Sequence, residues 1–278
     1  MTCFMNDYKK SYVDNGYVLI KKAISHELVL KLKTIIKATP PTFLIPFSGE
    51  GWGYGNFIEN KDFIEIILKN ELIQQVFQSV TDKDVEFNHV IVNRKPAWIG
   101  PEVEYHQEVC NSATFAPGAS VEDLAKNWVQ MYLPLDDETS ENGGLRIITN
   151  SHKLGKLDTE DFVNQNYSHK RRIPGRILNR ILQKDGIELI DLNLEKGDCI
   201  LFSPLLIHAS PSNGTPKERV SIVAQARRTD FKYDEDILSH ETNYRSEFLY
   251  TSLKKFASKY ENLGKERYRT FRKETSKH

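Results

Sequence analysis

EKGDCILFSPLLIHASPSNGTPKERVSIVAQ, residues 195–225, is the stretch from which the rest of the chain can be read. An apolar, β-type run from Asp198 to Ser203 breaks at Pro204 and leads to His208. A turn rich in Pro, Ser, Asn and Gly follows, and Arg219 opens a second β-rich run with Ser221 two positions on. Short runs punctuated by turn residues are the pattern of an antiparallel sheet. The same texture extends back to Val85 through VEFNHVIVN, EVEYHQEV, WVQMYLPL, GLRIITNS and IELIDLNL. Seven or more such strands predict a sandwich or barrel, so the expected fold class is mainly β with flanking helices. Residues 157–187, which contain SHKRRIPGRILNRIL, read instead as an excursion out of the sheet carrying a helix.

Upstream of Val85 the apolar spacing is helical. Tyr12, then Leu28, Leu30, Leu32, Ile35 and Ile36, define two helices within residues 5–40, with Ser25 and Glu27 placed to open the second. A short strand, Gly16 to Ile20, lies between them. Phe63, Ile66, Ile67, Leu72, Ile73, Val76 and Phe77 fall on one side of a further helix expected over Asp62–Ser79. FLIPFSGEGWGYGN, residues 43–56, has closely spaced glycines with Trp52 and Tyr54 and suits a mobile lid loop. The tail from Tyr250 reads as a basic helix. No linker or internal repeat interrupts the chain, which predicts one domain over residues 1–278: N-terminal helices to about 84, a β core over about 85–230, and a helical tail from about 231.

The chain has 278 residues with 38 Lys+Arg against 38 Asp+Glu. That balance removes any charge argument for a nucleic-acid partner. No run is long and apolar enough to span a membrane, and the N-terminus lacks a secretory pattern, so a cytoplasmic location is expected. Cys3, Cys110 and Cys199 are too few and too widely spaced for a disulfide framework or a zinc knuckle.

Within YHQEV, His106 and Glu108 are two apart on an expected strand and share a face, roughly 6.6 to 6.8 Å apart along it. Alone, such a pair occurs often by chance. Cys110 continues that face roughly 13 Å from His106, too far to be a third corner. His208 supplies one. Two imidazoles and one carboxylate hold non-haem Fe(II) on one triangular face and leave positions open for a chelating cosubstrate and O2. Arg219 and Ser221, on one face of a neighbouring strand, offer a planar cationic fork and a hydroxyl for the far carboxylate of a 2-oxoacid. His152 in NSHK and His89 in VEFNHVIVN read as structural.

In order along the chain, NGYVLIKKAIS, NRKP, HQE, NGGLRIITNSHKLG, GDCILFSPLLIHAS and the closing RVS resemble the phytanoyl-CoA dioxygenase family of Fe(II)- and 2-oxoglutarate-dependent oxygenases, over about Asn15 to Arg228. The resemblance implies a double-stranded β-helix, a cupin-like jelly roll, with iron at its open end. It implies His106, Glu108 and His208 as the metal-binding and catalytic residues, and Arg219 with Ser221 at the 2-oxoglutarate tail. Tyr132, counted back from Asn142-Gly143, falls where the family pattern places a ring beside that cosubstrate. The family usually has Asp where this chain has Glu108; the retained carboxylate favours hydroxylation of a small-molecule substrate over halogenation. A non-catalytic relative, a cupin-like isomerase and a metal hydrolase are the alternatives. Trp98 and Tyr105 are candidate substrate contacts, and Arg171 and Arg172, with Lys170 and Arg176, a candidate site for an anionic substrate at the barrel mouth.

Overall fold

Two antiparallel sheets face each other, with strands numbered along the chain. The larger is seven-stranded and runs from edge to edge as β1 (Tyr17–Ile20), β11 (Cys199–Phe202), β6 (Trp128–Pro134), β13 (Arg219–Arg228), β4 (Val85–Lys95), β3 (Trp52–Asn56) and β2 (Phe43–Ile45). The smaller has the order β10 (Leu189–Asp191), β7 (Arg146–Ile148), β12 (His208–Ser210) and β5 (Val103–His106). A separate pair joins β8 (Glu160–Asp161) to β9 (Arg171–Arg172). This computed structural model describes residues 2–38, 43–45, 52–56, 61–98, 102–111, 120–161 and 171–231. From β4 to β7 and again from β10 to β13, successive strands alternate between the sheets. This is the double-stranded β-helix expected from the sequence, with β1, β2 and β3 extending the larger sheet at its two edges.

Side-chain alternation decides what each face covers. Along β13, Val220, Ile222, Ala224 and Ala226 join Val90, Val92, Met131, Leu133 and Leu201 in a core covered by helices α1 (Thr2–Asn15), α2 (His26–Ala38), α3 (Lys61–Leu68) and α4 (Glu71–Thr81). The opposite phase, Arg219, Ser221, Val223 and Gln225, faces the smaller sheet. There Tyr132, Ile200, Phe202, Ile147, Leu145 and Leu206 close the base of the barrel. The outer face of the smaller sheet is covered by α6 (Gly175–Ile181), whose Ile181 packs with Ile148, Ile173 and Ile207. Helix α5 (Val121–Asn127) leads into β6.

The entry strand β1 is held by Asp198. Its carboxylate accepts hydrogen bonds from Lys22 N at 2.9 Å, Glu195 N at 3.0 Å and Lys21 Nζ at 2.7 Å. Gly197, at φ +88°, permits this turn, since a Cβ there would lie 2.6 Å from Ile24 O.

Three expectations are corrected. The single helix over Asp62–Ser79 is two, because Asn70 leaves the helix: its Oδ1 accepts from Ile73 N and its Nδ2 donates to Ala23 O. The glycine-rich segment contains strands, not only loop: β2 and β3 pair with each other, and Tyr54 pairs across to Asn93 of β4. Backbone hydrogen bonds suffice for an edge hairpin, so Gly53 and Gly55 do not prevent it; residues 46–51 lie outside the described residues. The strand carrying YHQEV ends at His106, and Glu108 begins a 3-10 turn, Glu108–Asn111. The expected helix in the tail lies outside the described residues, as do the side chains of Cys110 and His89.

Candidate metal centre

His106 ends β5 and His208 begins β12, and the two are direct cross-strand partners. Their rings face each other with centroids 4.2 Å apart. Glu108 comes from the turn after β5, and its Oε1 lies 3.5 Å from His106 Nε2 and 3.3 Å from His208 Nε2. All three ligand atoms fall within 4.8 Å of one another. The pair is therefore brought together by the chain leaving the strand, not by two residues on one strand face.

Each imidazole is oriented by its other nitrogen. His106 Nδ1 is 2.7 Å from Glu104 O, and His208 Nδ1 is 3.0 Å from Leu206 O. A carbonyl only accepts, so Nδ1 carries the hydrogen and Nε2 of the neutral ring presents a lone pair. Two lone pairs and a carboxylate oxygen converging in a buried space repel one another unless a cation lies between them. This donor set fits a divalent metal ion with open positions, and two imidazoles with one carboxylate suit ferrous iron. Burial pushes the Glu108 carboxyl upward, but His106 and His208 outweigh it and hold it well below the usual carboxylate range. Burial, reinforced by His208, lowers the His106 pKa despite Glu108, which favours the neutral, ligating ring.

Gln107, between the two ligands, is a positioning residue that the sequence reading missed. It is fully buried, and its Nε2 donates to Gly155 O at 2.9 Å and Leu205 O at 2.7 Å. Its Oε1 accepts from Leu157 N at 2.9 Å. One side chain thus ties the end of β5 to the loops before β8 and before β12. A buried amide can satisfy donors and acceptors on two loops at once, and the polar residue inside HQE was the available signal.

The sequence-identified residues Arg219, Ser221 and Tyr132 do meet. Arg219 Nη1 donates to Tyr132 Oη at 2.6 Å and to Ser221 Oγ at 2.8 Å, and Nη2 donates to Gly143 O at 2.5 Å. Gly143, at φ +79°, lets the chain pass close to Pro211 and Lys95, since a Cβ would lie 2.6 Å from Pro211 O. The guanidinium is also paired, at 3.1 Å, with Glu138, a residue that the sequence reading passed over. Both Glu138 oxygens accept from the Tyr132 hydroxyl, at 2.8 and 2.9 Å. Lys95, the β4 partner of Arg219, buries its Nζ against Ser210 Oγ at 2.7 Å and Pro211 O. Burial, then the Arg219 charge, lowers the Lys95 pKa well below its usual value. Burial raises the Glu138 carboxyl, opposed mainly by Arg219. Lys95 was legible as a charged residue in the inward phase of a strand, whereas Glu138 sits in the acidic turn DDETSE, which looks solvated.

This polar cluster shares the barrel interior with the triad. Tyr132 packs with Phe202, whose ring centroid is 4.8 Å from His208, and Ser210 lies two residues beyond His208 on the same strand. The other candidates differ in their surroundings. Tyr105 points to the opposite side of β5 from His106, packing against the core of Ile148, Ile173 and Ile207. Trp98 is 48% exposed in a turn at φ +63°. Arg172 bonds Glu160 at 2.8 Å and approaches Glu104 at 3.7 Å, Arg171 is exposed, and Lys170 lies outside the described residues. His152 is structural, as expected: its Nε2 is 3.0 Å from Val13 O, and its ring packs where a Cβ on Gly16 would lie. No helix among the described residues is long and apolar enough to cross a membrane.

Several solved structures share this fold. An epimerase, SnoN, in complex with Fe3+, alpha ketoglutarate and nogalamycin RO superposes with a TM-score of 0.64 at 16% identity, covering 84% of this chain and 87% of that one. EctD from S. alaskensis with 2-oxoglutarate and 5-hydroxyectoine gives 0.62 at 19% identity, covering 82% and 77%. In sequence, the peroxisomal phytanoyl-CoA dioxygenase of Rattus norvegicus is 22% identical over 245 residues, covering 82% of this chain and 69% of that one. The sequence profile described as Phytanoyl-CoA dioxygenase (PhyH) matches residues 12–221, a span that takes in both histidines of the triad, Glu108 and the Arg219 cluster. The chain therefore belongs to the phytanoyl-CoA dioxygenase family of Fe(II)- and 2-oxoglutarate-dependent oxygenases.

Proposed function

We propose that this protein is an Fe(II)- and 2-oxoglutarate-dependent dioxygenase that hydroxylates a small-molecule substrate, with O2 consumed and succinate and CO2 released. The observation that supports this most strongly is the convergence of His106, Glu108 and His208 within 4.8 Å, with each Nδ1 already committed to a backbone carbonyl. His106, Glu108 and His208 are assigned as metal ligands, Arg219 and Ser221 as the anchor for the cosubstrate's far carboxylate, and Tyr132 as the hydroxyl that shapes that anchor. Bound iron would supply the oxidising chemistry, activating O2 against the 2-oxoacid. The chain's own contribution is to fix the ligands, present a cationic fork in a buried interior, and keep bulk water from the reacting centre.

Anaerobic titration of the Fe(II)-loaded protein with 2-oxoglutarate tests the assignment. The weak visible absorption band of a chelated ferrous 2-oxoacid is expected; its absence while iron is demonstrably bound removes 2-oxoglutarate from the reading. Because SnoN is an epimerase, the product of an identified substrate decides between outcomes, with one added oxygen atom expected. An anionic substrate remains part of the proposal through Arg171 and Arg172, although the carboxylates of Glu160 and Glu104 already engage the second of these.

A further inference from the structure

Arg219 is 2% exposed and Glu138 1% exposed, and a buried charge pair of this kind holds because each ion answers the other. On this guanidinium, Nη1 is shared among Tyr132 Oη, Ser221 Oγ and Glu138 Oε1, and Nη2 is taken by Gly143 O. Nε is buried and has no hydrogen-bond partner among the described residues. An incoming carboxylate therefore meets a fork whose terminal nitrogens are already engaged and whose charge is already matched. A two-point grip that uses Nη1 requires Glu138 to release it, and one through Nε and Nη2 places the incoming carboxylate on a guanidinium whose charge Glu138 already answers. Lys95 offers the tail no hydrogen bond in the present arrangement, because its Nζ donates to Ser210 Oγ, Ser210 O and Pro211 O.

We infer that Glu138 is the specificity-determining residue of the cosubstrate subsite: it is an internal counter-ion that competes with the distal carboxylate of 2-oxoglutarate for Arg219. This inference rests on the proposed role of Arg219 as cosubstrate anchor. Glu138 answers the buried Arg219 charge, and the same pairing weakens the hold on any oxoacid tail. A second anion beside Glu138 gains from Arg219 only what it does not lose to like-charge repulsion. The distal carboxylate of 2-oxoglutarate thus adds less affinity here than it would on an uncommitted arginine.

The test is direct binding without turnover. Protein loaded with Mn(II) is titrated by calorimetry with 2-oxoglutarate and with 2-oxopentanoate, which has the same carbon chain without the distal carboxylate. In Glu138→Gln the amide oxygen still accepts from Arg219 and Tyr132 while the competing charge is gone. The variant is expected to bind 2-oxoglutarate about tenfold more tightly or better and to leave 2-oxopentanoate within about threefold of wild type. Unchanged or weaker 2-oxoglutarate binding in a variant that melts cooperatively overturns the competition while leaving the anchor assignment standing. Binding of 2-oxoglutarate by neither protein overturns the anchor assignment and this inference with it, whereas binding by the variant alone supports both. Should the variant not fold, wild type and Arg219→Lys decide: a wild-type preference for 2-oxoglutarate over 2-oxopentanoate below about tenfold that Arg219→Lys lowers further supports competition, one that Arg219→Lys leaves unchanged overturns the anchor assignment, and a preference above about tenfold refutes competition.

Discussion

Replacing Gln107 by Leu keeps the volume roughly constant and removes the amide that ties three backbone groups together. The hydrogen bonds lost are those to Gly155 O and Leu205 O and from Leu157 N. At a net value of about 1 kcal/mol each, their loss costs about 3 kcal/mol, and groups left buried without partners push the cost higher. With roughly 2 to 4 °C per kcal/mol for a chain of this size class, the melting temperature should fall by about 6 to 12 °C. The damage should also appear at the metal, because Gln107 fixes the chain between His106 and Glu108, and loss of a supporting partner typically costs about 10- to 100-fold in metal affinity. Differential scanning calorimetry with and without Mn(II), together with competitive metal titration, separates the two effects. A drop smaller than about 2 °C with unaltered metal affinity would show that the three contacts are not what hold the ligands in place.

At the metal itself, Glu108→Gln should abolish most metal binding by replacing an anionic ligand with a neutral one, whereas Glu108→Asp should keep part of it; equal affinities for Gln and wild type would remove Glu108 from the ligand set. Arg219→Leu should cost about 3 to 5 kcal/mol in denaturant unfolding because Glu138 is left buried and unpaired, and Arg219→Leu/Glu138→Leu should recover much of that loss; equal single and double values would mean the pair is not coupled. Asp198→Asn should cost about 2 kcal/mol near neutral pH, since hydrogen bonds to a charged acceptor are lost. The hydrogen bonds from Lys21 and from the Lys22 and Glu195 amides outweigh burial and depress the folded pKa of Asp198, so its contribution is complete above the unfolded value of about 3.8 and disappears as pH falls through the folded value. The stability gap between wild type and Asp198→Asn should therefore stay constant from about pH 5 to 8 and close below about pH 4; a gap that widens in acid contradicts the assignment. Once a substrate is known, salt should weaken its binding, as should charge reversal at Arg171 and Arg172; salt-independent affinity would place these side chains outside the recognition site.

The jelly roll was readable because its strands advertise themselves twice, by β-rich composition and by the turn residues between them. Alternation alone put Arg219 and Ser221 on one shared face, and their contact bears that out. It misled at Glu108, since a period of two assumes the strand continues, whereas the chain turns after His106. Asn70 escaped for a related reason: apolar periodicity runs through it unbroken, and only its side-chain bonds to Ile73 N and Ala23 O reveal the break. Glu138 was invisible, and Gln107 was marked only by its place inside HQE, because their burial comes from strands distant in sequence closing over a turn and a strand end. Glu138 alone in DDETSE is drawn inward, by a guanidinium 81 positions away.

The alternation of strands between the sheets also bears on how the protein is made. Lys95, on the first strand of the β-helix, pairs across to Arg219, on the last, and both lie in the buried polar cluster. A ribosome must therefore release nearly all of the described chain before β4 gains the partner on that flank. Until then its apolar face, with Val90 and Val92, waits in a nascent polypeptide that cannot close. Such long-range pairing makes folding slow and leaves intermediates prone to aggregate. Recombinant yield should accordingly respond to slower synthesis and to chaperone supply, and a chain truncated before β13 should fail to accumulate in soluble form.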